Sequence, residues 1–266
     1  MAVEIPAKQV MQLRGETGAP MMDAKRALQE TNGDMDEAKR WLRERGMAQA
    51  AKRADRATSE GLVGYRIEGG KGTIVAVGCE TEPVSKNDAF QAFAKKVLDT
   101  VDGGGLGAES SLDDERQQLS AKLGENIVVV GAAQFSAGDD ELVTGYAHPP
   151  ANKLGVLVHV RGGDDDLGRK LAMHIAASSP QWIGREDVPE DAIAAEREIF
   201  ANTDEVQAKP EQAREKIVEG MLNKRFFGAN VLGEQEWIHD GSLKVDKVLA
   251  DAGAEVLEFE RFSLAG

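Results

Sequence analysis

The chain has 266 residues, 41% hydrophobic and 29% charged, with a formal charge of −14, which is room for two or three small domains with ordinary buried cores. The opening MAVEIPAKQV lacks the basic-then-apolar pattern of a signal peptide, and no apolar run reaches the ~18 residues of a membrane span. A single cysteine, Cys79, excludes an intrachain disulfide, so a cytoplasmic protein in a reducing compartment is expected.

The charge is uneven. Residues 1–58 carry 11 basic and 9 acidic side chains, against 21 and 37 in the remainder. A body this acidic repels phosphate backbones, so neither direct nucleic-acid binding nor a membrane partner is expected. The segment 39–56 is locally basic, with Lys39, Arg40, Arg43, Arg45, Lys52, Arg53 and Arg56. A solvated helix face is the ordinary reading of such a run; a docking surface for an acidic partner is the sharper one.

Residues 6–46 read as three short helices. Val10 and Leu13 start the first stripe, which Gly18-Ala19 ends. Met21, Ala24 and Leu28 share a face in the second, with Pro20 near its first turn, where a missing N–H costs nothing. Asn32-Gly33 breaks it, and Asp34 caps the third, with Glu37 three residues on and Met35, Ala38 and Leu42 as its stripe. The polar, Ala-rich segment 47–59 reads as a tether. The expected three-helix domain is 1–50, and the linker 51–59.

The rest contains an internal repeat. In the first unit a hairpin of strands 62–68 and 73–79 turns at Gly69-Gly70. A helix follows from about Asp88, with Phe90, Phe93, Ala94, Val97 and Val101 on one face. A second helix, with Leu112, Leu119 and Leu123, stops at Gly124, and 127–135 is a strand. The second unit opens Glu141-Leu142-Val143-Thr144-Gly145-Tyr146, an echo of Glu60-Gly61-Leu62-Val63-Gly64-Tyr65. Its hairpin returns as 154–161, and a helix with Leu167, Leu171, Ile175 and Ser178 follows. Much later come a helix bearing Val245, Val248 and Leu249, ended by Gly253, and the strand 255–262. Both units read ββααβ. The second is interrupted by a helical pair starting at Pro189 and Pro210, for which an antiparallel hairpin is the simplest arrangement. The expected division is 60–138 for the first subdomain, 139–182 with 229–266 for the second, and 183–228 for the insert.

No catalytic constellation stands out. His148, His159, His174 and His239 are scattered, and one cysteine builds no zinc site. Gly69-Gly70-Lys71-Gly72-Thr73 leads into a strand rather than a helix, so it reads as a hairpin turn and not a phosphate loop. Gly103-Gly104-Gly105-Leu106-Gly107 lacks the preceding strand of a dinucleotide fingerprint. Asp164-Asp165-Asp166 at a helix start is favoured by the helix dipole without any cation. His174, three residues after Leu171, reads as a half-buried, hydrogen-bonded histidine. No metal, cofactor or catalytic residue is expected.

Several runs carry a family resemblance: Leu13-Arg14, Thr17-Gly18-Ala19, Met21-Met22-Asp23, Cys79-Glu80-Thr81, Gly124-Glu125-Asn126-Ile127, Gly155-Val156-Leu157-Val158, Met173-His174-Ile175-Ala176-Ala177 and Val218-Glu219-Gly220. Taken in order over about residues 3–263, they resemble the bacterial elongation factor Ts family. The resemblance implies an α+β fold: a small three-helix, ubiquitin-associated-like N-terminal domain, then two related ββααβ subdomains with an inserted antiparallel helical hairpin. It also implies a guanine-nucleotide exchange factor without covalent catalysis or cofactor. Such a factor binds elongation factor Tu in its GDP-bound and nucleotide-free forms and promotes release of GDP and Mg²⁺. The alternative is an exchange-inactive binding module of the same fold.

Site residues carry over from the resemblance alone. The family's Thr-Asp-Phe-Val motif, which intrudes near the partner's magnesium site, corresponds to Thr81, Glu82, Pro83 and Val84. Glu82 keeps the charge, and Pro83 removes the aromatic wedge. Proline is expected to hold Glu82 extended, making the loop a stiff strut. Arg14, Met21 and Met22 match positions that pack on the partner's GTPase domain, although a core position competes for Met21. His174 matches a contact to another partner domain. Two further departures are Val130-Gly131, where the family has an Arg pair, and a chain that stops after the last strand.

Overall fold

The computed structural model describes residues 5–264. Three helices open the chain: α1 (Ala7–Thr17), α2 (Met21–Glu30) and α3 (Met35–Ala51). Gly18 ends α1 in the left-handed conformation, at φ 69°, that glycine adopts without a Cβ penalty. Asp34 starts α3, its Oδ1 accepting from the amides of Asp36 (2.9 Å) and Glu37 (2.8 Å). Val10, Leu13, Ala24, Ala27, Leu28 and Ala38 form the module's own core. Met21 is 41% exposed, so the competing core position for it is excluded; Ala27, not Met21, completes the buried stripe of α2.

The first lobe follows as β1 (Glu60–Glu68), β2 (Lys71–Cys79), α4 (Glu82–Ser85), α5 (Asp88–Gly104), α6 (Asp113–Leu123) and β3 (Val128–Ser136). The second has β4 (Glu141–Ala147), β5 (Leu154–Arg161) and α7 (Asp165–Ser178). It then carries α8 (Glu190–Ala201), α9 (Asp204–Gln207), α10 (Glu211–Met221) and α11 (Gly228–Asn230), and closes with α12 (Val245–Ala252) and β6 (Glu255–Ser263). Each lobe has one antiparallel three-stranded sheet, ordered β1-β2-β3 and β4-β5-β6. The ββααβ repeat is thus present in both, with a one-turn helix, α4, added to the first.

The central strands explain why the repeat is so apolar. Val75, Val77 and Cys79 of β2 face the helices of the first lobe with Phe90, Phe93, Val97 and Val101. Ile74 and Ala76, on the opposite face, meet Val143 and Leu157 of the second sheet. In β5, Val156, Val158 and Val160 face Leu171, Ile175 and Leu249. Strands buried on both faces lose the polar alternation of a one-sided sheet. The order of layers is helix, sheet, sheet, helix.

Glycine permits the close approach of the sheets. A Cβ on Gly72 would stand 2.3 Å from Val143 Cγ1, and one on Gly155 2.5 Å from Val63 Cγ1. Gly131, the departure noted above, has the Phe262 ring in the place of a side chain: a Cβ would lie 2.6 Å from its Cε1.

One expectation is corrected here. The tether expected at 47–59 begins inside α3, which continues through Ala51 and packs on α6. Arg43 pairs with Asp114 of α6 at 3.1 Å, and Gly46 sits where a Cβ would stand 2.8 Å from that of Ala121. The helical module therefore leans on the first lobe. The basic run 39–56 is a mostly exposed face, as its ordinary reading expected, with some of its charges paired within the chain: Lys39 with Glu16 (2.7 Å), Arg45 over the Trp41 ring, and Arg56 with Glu80 (3.4 Å).

Candidate partner-binding surface

The loop after the first hairpin is held from both sides. β2 ends at Cys79, and Gly124 ends α6 in the left-handed region at φ 78°. That turn delivers Glu125 to the loop. Its Oε2 accepts from the amides of Glu80 and Thr81, both at 3.0 Å, and its Oε1 from the Thr81 hydroxyl. Glu80 returns the arrangement, its Oε1 accepting from the Asn126 amide at 2.6 Å. The Asn126 carboxamide in turn donates to the carbonyls of Ala54 (3.1 Å) and Arg56 (2.9 Å), fastening the segment that follows the helical module. Bonds from backbone amides to a carboxylate are charge-assisted and stronger than neutral ones. The two sequence runs Cys79-Glu80-Thr81 and Gly124-Glu125-Asn126 are therefore one reciprocal latch.

Thr81 is extended, at φ −130° and ψ 152°, and its carbonyl accepts from Val84 and Ser85, each at 3.1 Å, to begin α4. Glu82 lies inside this helical turn, which corrects the expectation of an extended Glu82. Pro83 sits in the turn's first positions, where proline's fixed φ suits a helix and its missing amide has no partner to lose. The helical bonds of the turn outweigh the usual extended bias of a residue before proline. Thr81, Glu82 and Pro83 are exposed, whereas Val84 packs partly into the first-lobe core. Lys86, 2.7 Å away, holds the exposed Glu82 carboxyl below its usual range. Burial, with the Glu125 charge adding to it, pushes the Cys79 thiol up to about 12, so it is no nucleophile at neutral pH.

On the helical module Arg14 is exposed, Met22 is 65% exposed and Met11 64%. With Met21, three methionines of this small unit face outward. The contact of α3 with α6 joins the module that carries these side chains to the first lobe, which carries Thr81–Val84. His174 belongs elsewhere, on α7 of the second lobe.

His174 is wholly buried, which corrects the half-buried expectation. Its Nδ1 accepts from the Ile238 amide at 3.3 Å, and its Nε2 stands 2.9 Å from Gln235 Oε1. The Trp237 ring stacks on it at 5.1 Å. Burial pulls its pKa below the usual 6.5; the Gln235 bond opposes this, and His239 adds to it. Beside it, Ile238 is 45% exposed. In the unbound chain His174 supports a surface loop rather than forming one.

The other sequence features serve the fold. Lys71 binds the Asp102 carbonyl, and Gly69 and Gly70 make a hairpin turn with φ of 57° and 79°. Asp164 caps α7 through the Leu167 amide at 2.8 Å. Among the described residues no group of His, Cys, Asp and Glu could hold a metal, and no helix is long and apolar enough to cross a membrane. Sequence reasoning missed the roles of Glu125, Asn126 and Gln235. A glutamate placed directly after a helix-ending glycine was the only signal of the first.

Fold and surface together define a two-lobed α+β scaffold whose distinctive chemistry is a held loop and an appended helical module. The sequence model of the family described as Elongation factor TS matches residues 80–266. Over nearly the whole chain there is similarity to proteins named Elongation factor Ts. That of Idiomarina loihiensis is 39% identical over 98% of this chain and 91% of its own. For Deinococcus deserti the figures are 39%, 96% and 98%, and for Halorhodospira halophila 40%, 98% and 92%. The chain belongs to the elongation factor Ts family and is a translation elongation factor.

Proposed function

We propose that this chain is the guanine-nucleotide exchange factor for elongation factor Tu, acting in the cytoplasm without covalent catalysis. It binds the GDP form, promotes release of GDP and Mg²⁺, and leaves when GTP rebinds. The observation that carries this reading is the latched, exposed turn Thr81–Val84 in a chain similar to elongation factor Ts along nearly its full length.

Exchange of this kind needs no proton transfer. A factor that binds the nucleotide-free partner best weakens nucleotide affinity by the factor that nucleotide weakens its own. Such a factor must present a rigid element to the partner's nucleotide site. Thr81, Glu82, Pro83 and Val84 form that element, and Glu125 orders it before contact, which lowers the ordering cost of docking. Arg14, Met21 and Met22 bind the GTPase domain. His174 contributes by positioning the loop that exposes Ile238.

Stopped-flow release of labelled GDP from elongation factor Tu tests the reading. Release accelerates with this protein, and affinity for the partner falls steeply as GDP and Mg²⁺ are added. Binding without acceleration, at an affinity indifferent to nucleotide, supports the exchange-inactive module instead.

A further inference from the structure

The inserted hairpin has its own core, of Val188, Phe200, Val206, Val218, Met221, Leu222, Phe227 and Val231, separate from that of the second lobe. It joins the lobe through a narrow stem. Trp182 and Val231 form an isolated parallel bridge, the amide of Gln181 donates to the Asn230 carbonyl at 2.8 Å, and that of Leu232 to Trp182 at 2.8 Å. A two-stranded stem of this size fixes an orientation weakly unless side chains reinforce it.

Gln235 is placed to do so. It is 4% exposed, and its Nε2 donates to the Ala229 carbonyl, just past the insert's last residue (2.7 Å), and to Ser178 at the end of α7 (3.2 Å). Its Oε1 faces His174 Nε2 at 2.9 Å. Because His174 Nδ1 accepts from the Ile238 amide, Nε2 must carry the ring proton and donate to Gln235. That tautomer leaves Gln235 one orientation: oxygen toward the histidine, nitrogen toward the two carbonyls. One carboxamide thus joins the middle of α7, its C-terminus and the base of the insert. With Trp237 stacked on its ring, the same histidine also fixes the exposed Ile238 loop.

We infer that Gln235, held by the neutral Nε2–H tautomer of His174, is a positioning residue that orients the inserted hairpin and the Ile238 loop on the second lobe for partner docking. The docking half of this inference rests on the exchange reading above; the orienting half does not. Gln235→Glu keeps the acceptor for His174 and loses both donors. Gln235→Leu loses all three bonds: the buried His174 Nε2–H loses its acceptor, which is costly, and the carbonyls of Ser178 and Ala229 lose their donor.

Both variants are compared with the unmodified chain by amide hydrogen exchange and by GDP release titrated with factor. In each variant, stem amides at 181–183 and 230–233 should exchange at least about tenfold faster while those of β4–β6 keep their protection, because local units open independently. The half-saturating factor concentration should rise at least about fivefold with a plateau rate within about twofold, the split expected when binding and not the chemical event is impaired. Unchanged stem protection, or uniform loss across the whole second lobe, overturns the inference. So does a fall in plateau rate at unchanged half-saturation. If Gln235→Leu does not fold, Gln235→Glu and nitrogen NMR of the unmodified chain decide: the His174 ring must carry its proton on Nε2, and a proton on Nδ1 overturns the assignment. If the unmodified chain releases no GDP, the exchange reading falls, while stem protection and tautomer still test the orienting role.

Discussion

Thr81 and Glu125 lie 44 residues apart, yet one carboxylate takes both the amide and the hydroxyl of that threonine. The bond ties the end of a strand to the end of a helix, and the loop between β2 and α5 takes its shape from it. Glu125→Ala removes three acceptor contacts to Glu80 and Thr81 at a half-buried site. The expected cost is about 1.5–3 kcal/mol in urea unfolding, the range for hydrogen bonds to charged groups. Exchange should fall further than stability, since the turn loses its fixed geometry. Glu125→Gln, which keeps an acceptor, should recover most of the stability. Full exchange by Glu125→Ala would show that the latch does not orient the loop.

Pro83 lies in the first positions of α4 and donates no bond there. Pro83→Ala therefore disrupts nothing in the folded turn and mainly frees the unfolded chain, by roughly 0.4–1 kcal/mol. GDP release should slow by less than about tenfold, equivalent to ~1.4 kcal/mol. Pro83→Phe should keep or improve exchange on a partner whose pocket accepts phenylalanine. Complete loss of exchange in Pro83→Ala would make proline itself the wedge.

Removing residues 1–50 tests the lean of the helical module on α6. The cut spares Ala54 and Arg56, whose carbonyls bind Asn126, so the latch survives. The remaining lobes keep their cores and should unfold cooperatively. Their midpoint should drop by about 2–8 °C for the loss of roughly 1–2 kcal/mol of α3–α6 packing. Exchange should weaken strongly, because Arg14, Met21 and Met22 go with the module. Loss of the near-ultraviolet dichroism of the truncated chain would mean that the module is part of the lobe's fold.

His174 gives stability a pH dependence of known sign. Its folded pKa is lowered by burial, so the unfolded chain binds more protons as pH falls below the unfolded value near 6.5. Stability from this group is complete above about 6.5 and is lost as pH drops from there toward the lower folded pKa. Thermal midpoints measured from pH 7.5 down to 5 should decline in the unmodified chain. His174→Gln should show a shallower decline in that window. Parallel profiles would mean that other groups control the decline.

Gly131→Ala addresses the departure from the family's Arg pair. The added methyl must displace the Phe262 ring, which should destabilise by about 1–3 kcal/mol as overpacking does. Combining it with Phe262→Leu should cost less than the two changes summed, because they compete for one space. Strict additivity in urea unfolding would separate the two residues.

The sequence by itself determined most of the architecture. Period and punctuation are local properties, so Gly69-Gly70, Gly124, Asp34 and the stripe Phe90 to Val101 marked their elements without a structure. The echo of Glu60 to Tyr65 in Glu141 to Tyr146 disclosed the repeat, and Met22 was legible as a surface residue only through family resemblance. Tertiary structure alone decided the rest. Glu125 is one more surface glutamate until the chain places it 3.0 Å from the Thr81 amide, and Gln235 gives no signal until His174 and Ala229 converge on it. Even Pro83, a strong local restraint, was overruled in its effect on Glu82 by the bonds that Val84 and Ser85 make to Thr81. Contacts between residues distant in sequence follow from how layers pack, and no window of neighbouring residues contains that information.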